Sequence, residues 1–205
     1  PAALDAIRAM RQVEGAEQYL YDLATNGNYE GGFQSFAESI KDAVDMAAIA
    51  FNRDGALGGV PTKFRHLDLL LGGLHKSDLI ILAGRPGMGK TALATNIAFH
   101  AAVTTRTGET AVPVAFFSLE MAAEQLGTRI LSERAQVDSE QIRRGKLNSA
   151  EFDQLVSASN AISSAPFFID DTPSLSVSQL ASRARRLKRT SGLGLIIVDY
   201  LQLLT

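Results

Sequence analysis

The residues with the clearest chemical meaning form a glycine-rich loop between an apolar run and a stretch of helical pattern. The loop matches the phosphate-binding pattern G-x-x-x-x-G-K-[ST] and ends in Lys90 and Thr91. Glycines let backbone N–H groups point at a triphosphate, and the following helix adds the partial positive charge of its N-terminus. In this pattern Lys90 reaches the β- and γ-phosphates and the Thr91 hydroxyl is a Mg²⁺ ligand. We therefore predict a nucleotide site, rather than an ordinary strand–helix turn, at Gly84, Arg85, Pro86, Gly87, Met88, Gly89, Lys90 and Thr91.

Two carboxylates follow apolar runs of strand type elsewhere in the chain. Glu120 comes just after the run at 112–118, and Asp199 ends the run at 195–199. Because ligands of open α/β sheets lie beyond the carboxyl ends of the strands, both acids can converge on the glycine-rich loop. We expect Asp199 to hold Mg²⁺ and Glu120 to act as general base on the attacking water. The alternatives are a helix or turn cap for Asp199 and, for Glu120, a charge that complements the dipole of the next helix.

Two further groups of charged residues are interpreted as structural. Asp170 and Asp171 also end an apolar run, but Asp-Thr-Pro is a usual way to open a turn, which favours a turn over a metal role. A basic helix is predicted at 178–189. Its cations spread around most of the circumference, and aromatic residues for base stacking are missing there, so a solvated face is favoured over nucleic-acid contact. These cations are Arg183, Arg185, Arg186, Lys188 and Arg189.

These candidate residues need a framework of strands and helices. From residue 60 onwards strand-type and helix-type segments alternate, the pattern of an α/β fold with a mostly parallel sheet. Strands are predicted at 79–83, 112–118, 167–169 and 195–199. Helices are predicted at 92–105, 121–135, 139–144, 149–163 and 178–189.

The first part of the chain predicts two helices before this framework. One covers residues 1–24, and the second begins at a capping-box signature, Ser35-x-x-Glu38. Apolar residues of the second helix recur on one face, at Phe36, Ile40, Val44, Ala47 and Phe51. Packing on its own domain and docking on a neighbouring subunit are equally favoured for that face. A glycine-rich loop at 55–59 separates the helix from the α/β framework.

Composition narrows the class of protein. The 205 residues are 46% hydrophobic and 20% charged, as in a globular chain, and the formal net charge is −2. Any contact with nucleic acid must therefore be local. No apolar run approaches the roughly 20 residues of a membrane span, and the absence of cysteine fits a reducing compartment, so we expect no membrane partner and a cytoplasmic location. A start at Pro1 and a stop directly after a strand-like run indicate a fragment.

Several separate stretches resemble bacterial replicative DNA helicases of the DnaB type, which are RecA-like hexameric motors. They lie at 59–62, 67–68, 72–74, 82–93, 117–121, 169–173 and 197–203. The most specific are Phe-Ser-Leu-Glu-Met, which contains Glu120, and Asp-Tyr-Leu-Gln-Leu, which contains Asp199 and Gln202. The resemblance extends from about residue 16 to the end, although Lys63 stands where the family usually has glycine.

The resemblance implies a fold and a domain organisation. The fold is a truncated RecA-like P-loop NTPase core of α/β class, preceded by an α-helical linker segment. Residues 1–32 would be the tail of a helical N-terminal domain, 33–59 the linker helix with a flexible loop, and 60–205 the ATPase domain, incomplete at its C-terminus. A chain that ends before the family's DNA-binding loops and arginine finger would be poorly active by itself.

The resemblance also implies an activity, cofactors and partners. The family's members are ATP-dependent DNA helicases that unwind duplex DNA at the replication fork, with ATP and Mg²⁺ as cofactors. Lys90 and Thr91 would serve phosphate and Mg²⁺, Glu120 the catalytic water and Asp199 the metal, while Gln202 would couple the γ-phosphate to the DNA-side loops. Implied partners are single-stranded DNA passing through the ring, the other subunits of a homo-hexamer, primase and a helicase loader. The alternatives are a RecA-like ATP-binding switch or loader that does not unwind, and a RecA-type recombinase, which the linker helix and the Asp-Tyr-Leu-Gln-Leu run disfavour.

Overall fold

The structure is a computed structural model, and it describes residues 35–51, 57–103 and 111–204. The chain divides into two units between Asn52 and Arg53, and each unit is described by itself. The predicted helix at 1–24 lies outside the described residues. Helix α1, Phe36–Phe51, belongs to the first unit, and the elements after it belong to the second.

The second unit alternates helices and strands. Its helices are α2 Arg65–Leu71, α3 Lys90–Val103, α4 Ala123–Ala135, α5 Ser139–Arg144, α6 Ser149–Ile162 and α7 Val177–Ser191. Its strands are β1 Val114–Ser118, β2 Phe167–Asp170 and β3 Leu195–Asp199, and a 3₁₀ turn follows at Leu201–Leu203. The predicted helices that begin near residues 92, 121, 139, 149 and 178 and three of the four predicted strands are confirmed to within about two residues at each described end.

Helix α1 begins where its sequence predicts. The Ser35 hydroxyl accepts a hydrogen bond from the N–H of Glu38 (3.3 Å), and the Glu38 carboxylate accepts one from the N–H of Ser35 (3.0 Å). These reciprocal bonds are the predicted capping box. Hydrogen bonds from the Ser35 hydroxyl and, secondly, from its N–H lower the pKa of Glu38. Large apolar side chains on α1 are exposed, among them Phe36 at 80% and Phe51 at 87%.

The three strands form a parallel sheet in the order β2-β1-β3. Alternate residues of the central strand β1 point to opposite faces. Val114 and Phe116 pack with Ala98, Ala101 and Ala102 of α3. On the other face, Ala115 and Phe117 pack with Ala184 of α7. Helices thus lie on both faces of the parallel sheet and bury its central strand, which confirms the predicted α/β fold class.

The predicted strand at 79–83 is wrong. Those residues belong to no helix or strand, and Leu79 and Ile81 are 86% and 75% exposed. An apolar run becomes a strand only where a neighbouring strand supplies backbone donors and acceptors. Among the described residues no strand pairs with this run, since β1 lies between β2 and β3 and the sheet has no other member.

The segment just before this run is held by a buried carboxylate that no sequence motif marks. Val60 and Leu74 form an antiparallel bridge around α2. Between them Asp68 accepts hydrogen bonds from the N–H and the hydroxyl of Thr62 and from the N–H of Lys63. Lys63 has φ of 65°, in the left-handed region where glycine is free of strain, and the bond to Asp68 helps to hold it there.

Candidate nucleotide-binding site

The glycine-rich loop runs from Gly84 to Gly89 on the surface, directly before α3. Gly87 and Gly89 have φ of 77° and 86°, the left-handed region that side chains rarely adopt. A Cβ atom added to either glycine would meet no heavy atom within 4 Å. Glycine is therefore required at both positions by the backbone, and the loop leaves open space in front of it.

Helix α3 begins at Lys90, the lysine of the loop pattern. The ammonium of Lys90 donates to the carbonyl oxygen of Gly84 across the loop, with an Nζ–O distance of 2.8 Å. Thr91 follows in the first turn of α3, where it is half-buried, and its carbonyl accepts from the hydroxyl of Thr95. The Lys90 side chain thus turns back toward the start of the loop. The first N–H groups of the 14-residue helix α3 also point toward this loop.

The packing of α3 places its N-terminus at the carboxyl end of the sheet. The N–H of Val112, just before β1, donates to the carbonyl of Ala101 near the end of α3 (3.0 Å). Ala94 and Ala98, earlier in the helix, pack in the same cluster as Val114 and Phe116, so the helix runs back along β1 from this bond. From Ala101 back to Lys90 it rises about 16 Å, and the strand from Val112 to Ser118 rises about 20 Å. With these ideal rises, Lys90 is expected near the level at which β1 ends.

Glu120 and Asp199 come together at that same end. Ser118 of β1 pairs with Asp199 of β3, and the N–H of Leu119 donates to the carbonyl of Asp199 at 2.8 Å. Glu120 is exposed one residue further on. The pleat puts Ser118 and Asp199 on the face occupied by α3, because Phe116 and its partner Ile197 lie two residues earlier in that core cluster.

The Asp199 carboxylate has an unusual environment. Asp199 is only 7% exposed, and its buried Oδ2 atom has no hydrogen-bond partner among the described residues. A buried carboxylate oxygen in that situation is costly unless a cation or water meets it. Mg²⁺ suits this place because it takes one or two carboxylates and keeps several waters and phosphate oxygens. Asp199 and the Thr91 hydroxyl fit that ion, while no cluster of three His, Cys, Asp or Glu side chains occurs in the described part of the chain.

The acids at the end of β2 are engaged in structure. Asp170 accepts from the Thr172 N–H (3.1 Å), as the turn interpretation predicts, and pairs with the Arg183 guanidinium (2.6 Å). Burial acts to raise the pKa of Asp170, but hydrogen bonds from Arg183 and Thr172 together outweigh it and lower that pKa. Asp171 accepts from the N–H of Ala123 (2.9 Å) at the start of α4. Asp171 therefore places a carboxylate at the start of α4.

Three features near the site complete its description. Gln202 lies in the 3₁₀ turn after β3 and is exposed. The hydroxyl of Ser118 donates to the carbonyl of Met121 at 2.6 Å and shapes the turn that carries Glu120, a role that no motif predicts. The ion pair between Asp170 and Arg183 was also not predicted. An acid at the end of a strand, followed in sequence by a basic helix, could have indicated it.

A parallel sheet covered by helices, with a phosphate-loop pattern at one helix start and acids at the carboxyl ends of two strands, is typical of the P-loop class of nucleotide-binding proteins. Comparison with known proteins is more specific. The chain belongs to the DnaB-like helicase C terminal domain family, which matches residues 59–205. The resemblance to DnaB-type helicases is thereby confirmed.

Individual relatives agree with this assignment. The chain is 45% identical over 201 residues to the replicative DNA helicase DnaB of Rickettsia bellii, a match that covers 96% of this chain and 40% of that protein. It superposes on a solved ATPase domain with a TM-score of 0.74 at 28% identity, covering 85% of this chain and 60% of that one. A solved structure of a DnaB-like replicative helicase and its interactions with primase gives a TM-score of 0.66 at 24% identity, covering 98% and 50%. The chain spans about 40% of the length of the Rickettsia relatives it matches.

Within the described residues, no helix combines the length and the apolar character that crossing a membrane requires.

Proposed function

We propose that this chain is the ATP-hydrolysing part of a replicative DNA helicase, which unwinds duplex DNA at the fork. Membership of the DnaB-like helicase family supports the proposal. The single observation that carries it is the buried Oδ2 of Asp199, which meets no donor among the described residues and lies on the sheet face that α3 covers, near Glu120. A stabilising cap would have its acceptors filled, whereas an acid that binds a metal keeps one available.

In the proposed reaction each residue has a separate role. The Glu120 carboxylate takes a proton from water as the water oxygen bonds to the γ-phosphorus and the bond from that phosphorus to the β–γ bridging oxygen breaks. Lys90 exchanges its bond to Gly84 for the β- and γ-phosphate oxygens, whose growing charge its ammonium stabilises. The N–H groups of the Gly84–Gly89 loop hold the rest of the triphosphate, and Gln202 couples the γ-phosphate to the parts that contact DNA.

A bound Mg²⁺ would be held by the Thr91 hydroxyl and Asp199, and it would neutralise charge on the phosphates. Asp199 is suited to this role because the sheet holds it in place. Its carbonyl accepts from Leu119, and its strand pairs with β1 along five residues. Its buried oxygen is therefore positioned before any ligand arrives.

The proposed assembly is a homo-hexamer in which α1 docks on a neighbouring subunit. Exposure of Phe36, Ile40, Val44 and Phe51 on one side of α1 supports this, because a face of that size left in water costs about 25 cal/mol per Å². Residues 33–59 would then be the linker and 60–205 the ATPase domain, with residues 1–32 as the tail of an N-terminal domain. Single-stranded DNA through the ring, primase and a helicase loader complete the proposed partners.

The test of the proposal is Lys90→Ala in the full-length protein, with Lys76→Ala as the matched control. Both lysines are outside the core, and the hydrogen bond that Lys90→Ala removes joins the first residue of α3 to the exposed loop before it, so both variants should fold. ATP turnover and unwinding of a forked duplex should be lost in Lys90→Ala and retained in Lys76→Ala, because only Lys90→Ala removes the positive charge that holds the β- and γ-phosphates. Retained ATP affinity and turnover in Lys90→Ala would rule out the phosphate-loop assignment.

A further inference from the structure

The turn that carries Glu120 is held at its start and middle by the body of the second unit. The N–H of Leu119 donates to the carbonyl of Asp199 (2.8 Å), and the hydroxyl of Ser118 donates to the carbonyl of Met121 (2.6 Å). Leu119 packs in the cluster on the α7 face of the sheet, and Met121 packs against the cluster on the α3 face. Glu120 is exposed between them. The turn is therefore anchored as far as Met121.

The end of this turn, where the chain enters α4, has no such local support. The N-cap residue is Ala122, whose backbone is extended but whose side chain makes no cap bond. Alanine is a poor N-cap, because it has no oxygen to meet the free N–H groups of a helix start. A distant carboxylate meets one of them instead, since Oδ2 of Asp171 accepts from the N–H of Ala123 at 2.9 Å across 48 residues of sequence. Asp171 thus supplies a cap that the local sequence lacks.

Asp171 is itself held on both sides. Its neighbours Asp170 and Thr172 accept from the same nitrogen of the Arg183 guanidinium, at 2.6 Å from the carboxylate and 2.7 Å from the hydroxyl. The N–H of Thr172 also donates to the Asp170 carboxylate at 3.1 Å. Helix α7 therefore fixes the short loop after β2, and this loop presents Asp171 to the start of α4.

We propose that Asp171 is a positioning residue for ATP hydrolysis, which holds the end of the turn from which Glu120 reaches the attacking water. This role rests on the proposed function, in which Glu120 takes the proton. Without the bond from Asp171, the first turn of α4 loses the contact that sets where it begins. Ala123 is three residues after Glu120, so a shift there moves the carboxylate as well. A displacement of about 1 Å in a catalytic group can cost about 10²-fold in rate.

The bond between Asp171 and Ala123 is exposed, so its loss should affect the position of the turn more than the stability of the fold. One net hydrogen bond shifts an equilibrium about 5- to 10-fold. Asp171→Ala in the full-length protein should therefore fold and lose about 5- to 10-fold in kcat for ATP. The KM for Mg-ATP and the affinity for a non-hydrolysable ATP analogue should stay within about twofold, because Asp171 bonds to α4 and not to the glycine-rich loop.

Two further variants show which property of Asp171 matters. Asp171→Asn keeps an oxygen that can accept from Ala123, so its kcat should stay within about threefold of the wild type, whereas a role of the negative charge would be lost in both variants. The matched control is Asp138→Ala, which removes the bond from the N–H of Glu140 to a carboxylate (2.7 Å) at the start of α5. This control should retain the wild-type kcat. Circular dichroism and size measurement should show all variants folded and assembled as the wild type is.

A double-mutant cycle with Glu120→Gln decides whether Asp171 acts through Glu120. In the Glu120→Gln background Asp171→Ala should cost less than about twofold in kcat, because residues that act as a unit have non-additive effects. The same loss in both backgrounds would overturn the proposed role of Asp171 while Glu120 keeps its own. An unchanged kcat in Asp171→Ala, or an unfolded variant, would also overturn it.

The other variants have equally definite outcomes. Equal losses of kcat in Asp171→Asn and Asp171→Ala would show that the charge matters and not the bond to Ala123. An equal loss in Asp138→Ala would show a general effect of helix caps, and either result would overturn the role of Asp171. A loss of less than about threefold in Glu120→Gln alone would instead refute the proposed general base, and the role of Asp171 would fall with it.

Discussion

Replacing Asp68 with alanine should destabilise the second unit strongly, although Asp68 lies in a short segment outside the sheet. Its Oδ1 atom accepts from the N–H and the hydroxyl of Thr62 at 2.8 and 2.7 Å, and Oδ2 accepts from the N–H of Lys63 at 3.0 Å. Asp68 is 9% exposed and Thr62 is completely buried. The variant would leave three donors without this acceptor.

The three donors differ in whether another acceptor can reach them once the carboxylate is removed. Lys63 is exposed, so water can meet its N–H at little cost. The two donors of Thr62 are buried, and each buried donor without a partner costs about 1–3 kcal/mol. Since the hydroxyl can rotate toward another acceptor, we take the lower part of the sum, about 2–4 kcal/mol. That loss is a large fraction of the roughly 5–15 kcal/mol by which proteins are stable.

Urea unfolding followed by circular dichroism measures the loss, and Asp68→Asn provides the matched variant. The amide oxygen can keep both bonds from Thr62 while its NH₂ group faces Lys63, so this variant should lose only about 1 kcal/mol. A loss below about 1 kcal/mol in Asp68→Ala would refute the reasoning. An equal loss in both variants would refute it as well, because the effect would then follow the charge rather than the unsatisfied donors of Thr62.

Three other predictions test the site and the surfaces around it. Glu120→Gln in the full-length protein should bind Mg-ATP as the wild type does but hydrolyse it about 10²–10⁴-fold more slowly, since an amide cannot take the proton; less than about a threefold loss of turnover would return Glu120 to a structural role. The double variant Ile40→Asp and Val44→Asp should abolish both the hexamer, as seen by size measurement, and ATP turnover, while the circular dichroism spectrum stays unchanged. An intact hexamer would show that α1 is not the ring contact. Unfolding would show that α1 packs within its own chain. The bond of Asp170 to Arg183 stabilises the ionised carboxylate, so its contribution is present above the unfolded pKa of 3.8 and is lost as pH falls through the lower folded pKa. At these exposures the ion pair is worth at most about 1 kcal/mol, and Arg183→Gln should reduce the loss of stability at acid pH in urea unfolding curves, while the bonds from Thr172 retain part of it.

Sequence patterns predicted the features that depend on residues close together in the sequence. The phosphate-loop pattern, the capping box at Ser35 and the apolar runs that became β1, β2 and β3 are all written in contiguous stretches. Whether residues 79–83 form a strand could not be predicted in this way, because an apolar run does not specify whether another strand lies beside it. Asp171 and Ala123 are 48 residues apart, and only the folded chain makes the one a cap for the other.

The candidate site depends on the register of the sheet, which no single motif contains. Pairing of Phe116 with Ile197 puts Asp199 opposite Ser118, on the face that α3 covers. A slip of β3 by one residue would turn Asp199 to the face that α7 covers and bring Val198 to the α3 side. The register is held by packing, since Phe116 and Ile197 must meet the alanines of α3 while Phe117 and Val198 meet α7. The same apolar contacts that stabilise the sheet therefore decide which acid faces the helix that begins at Lys90.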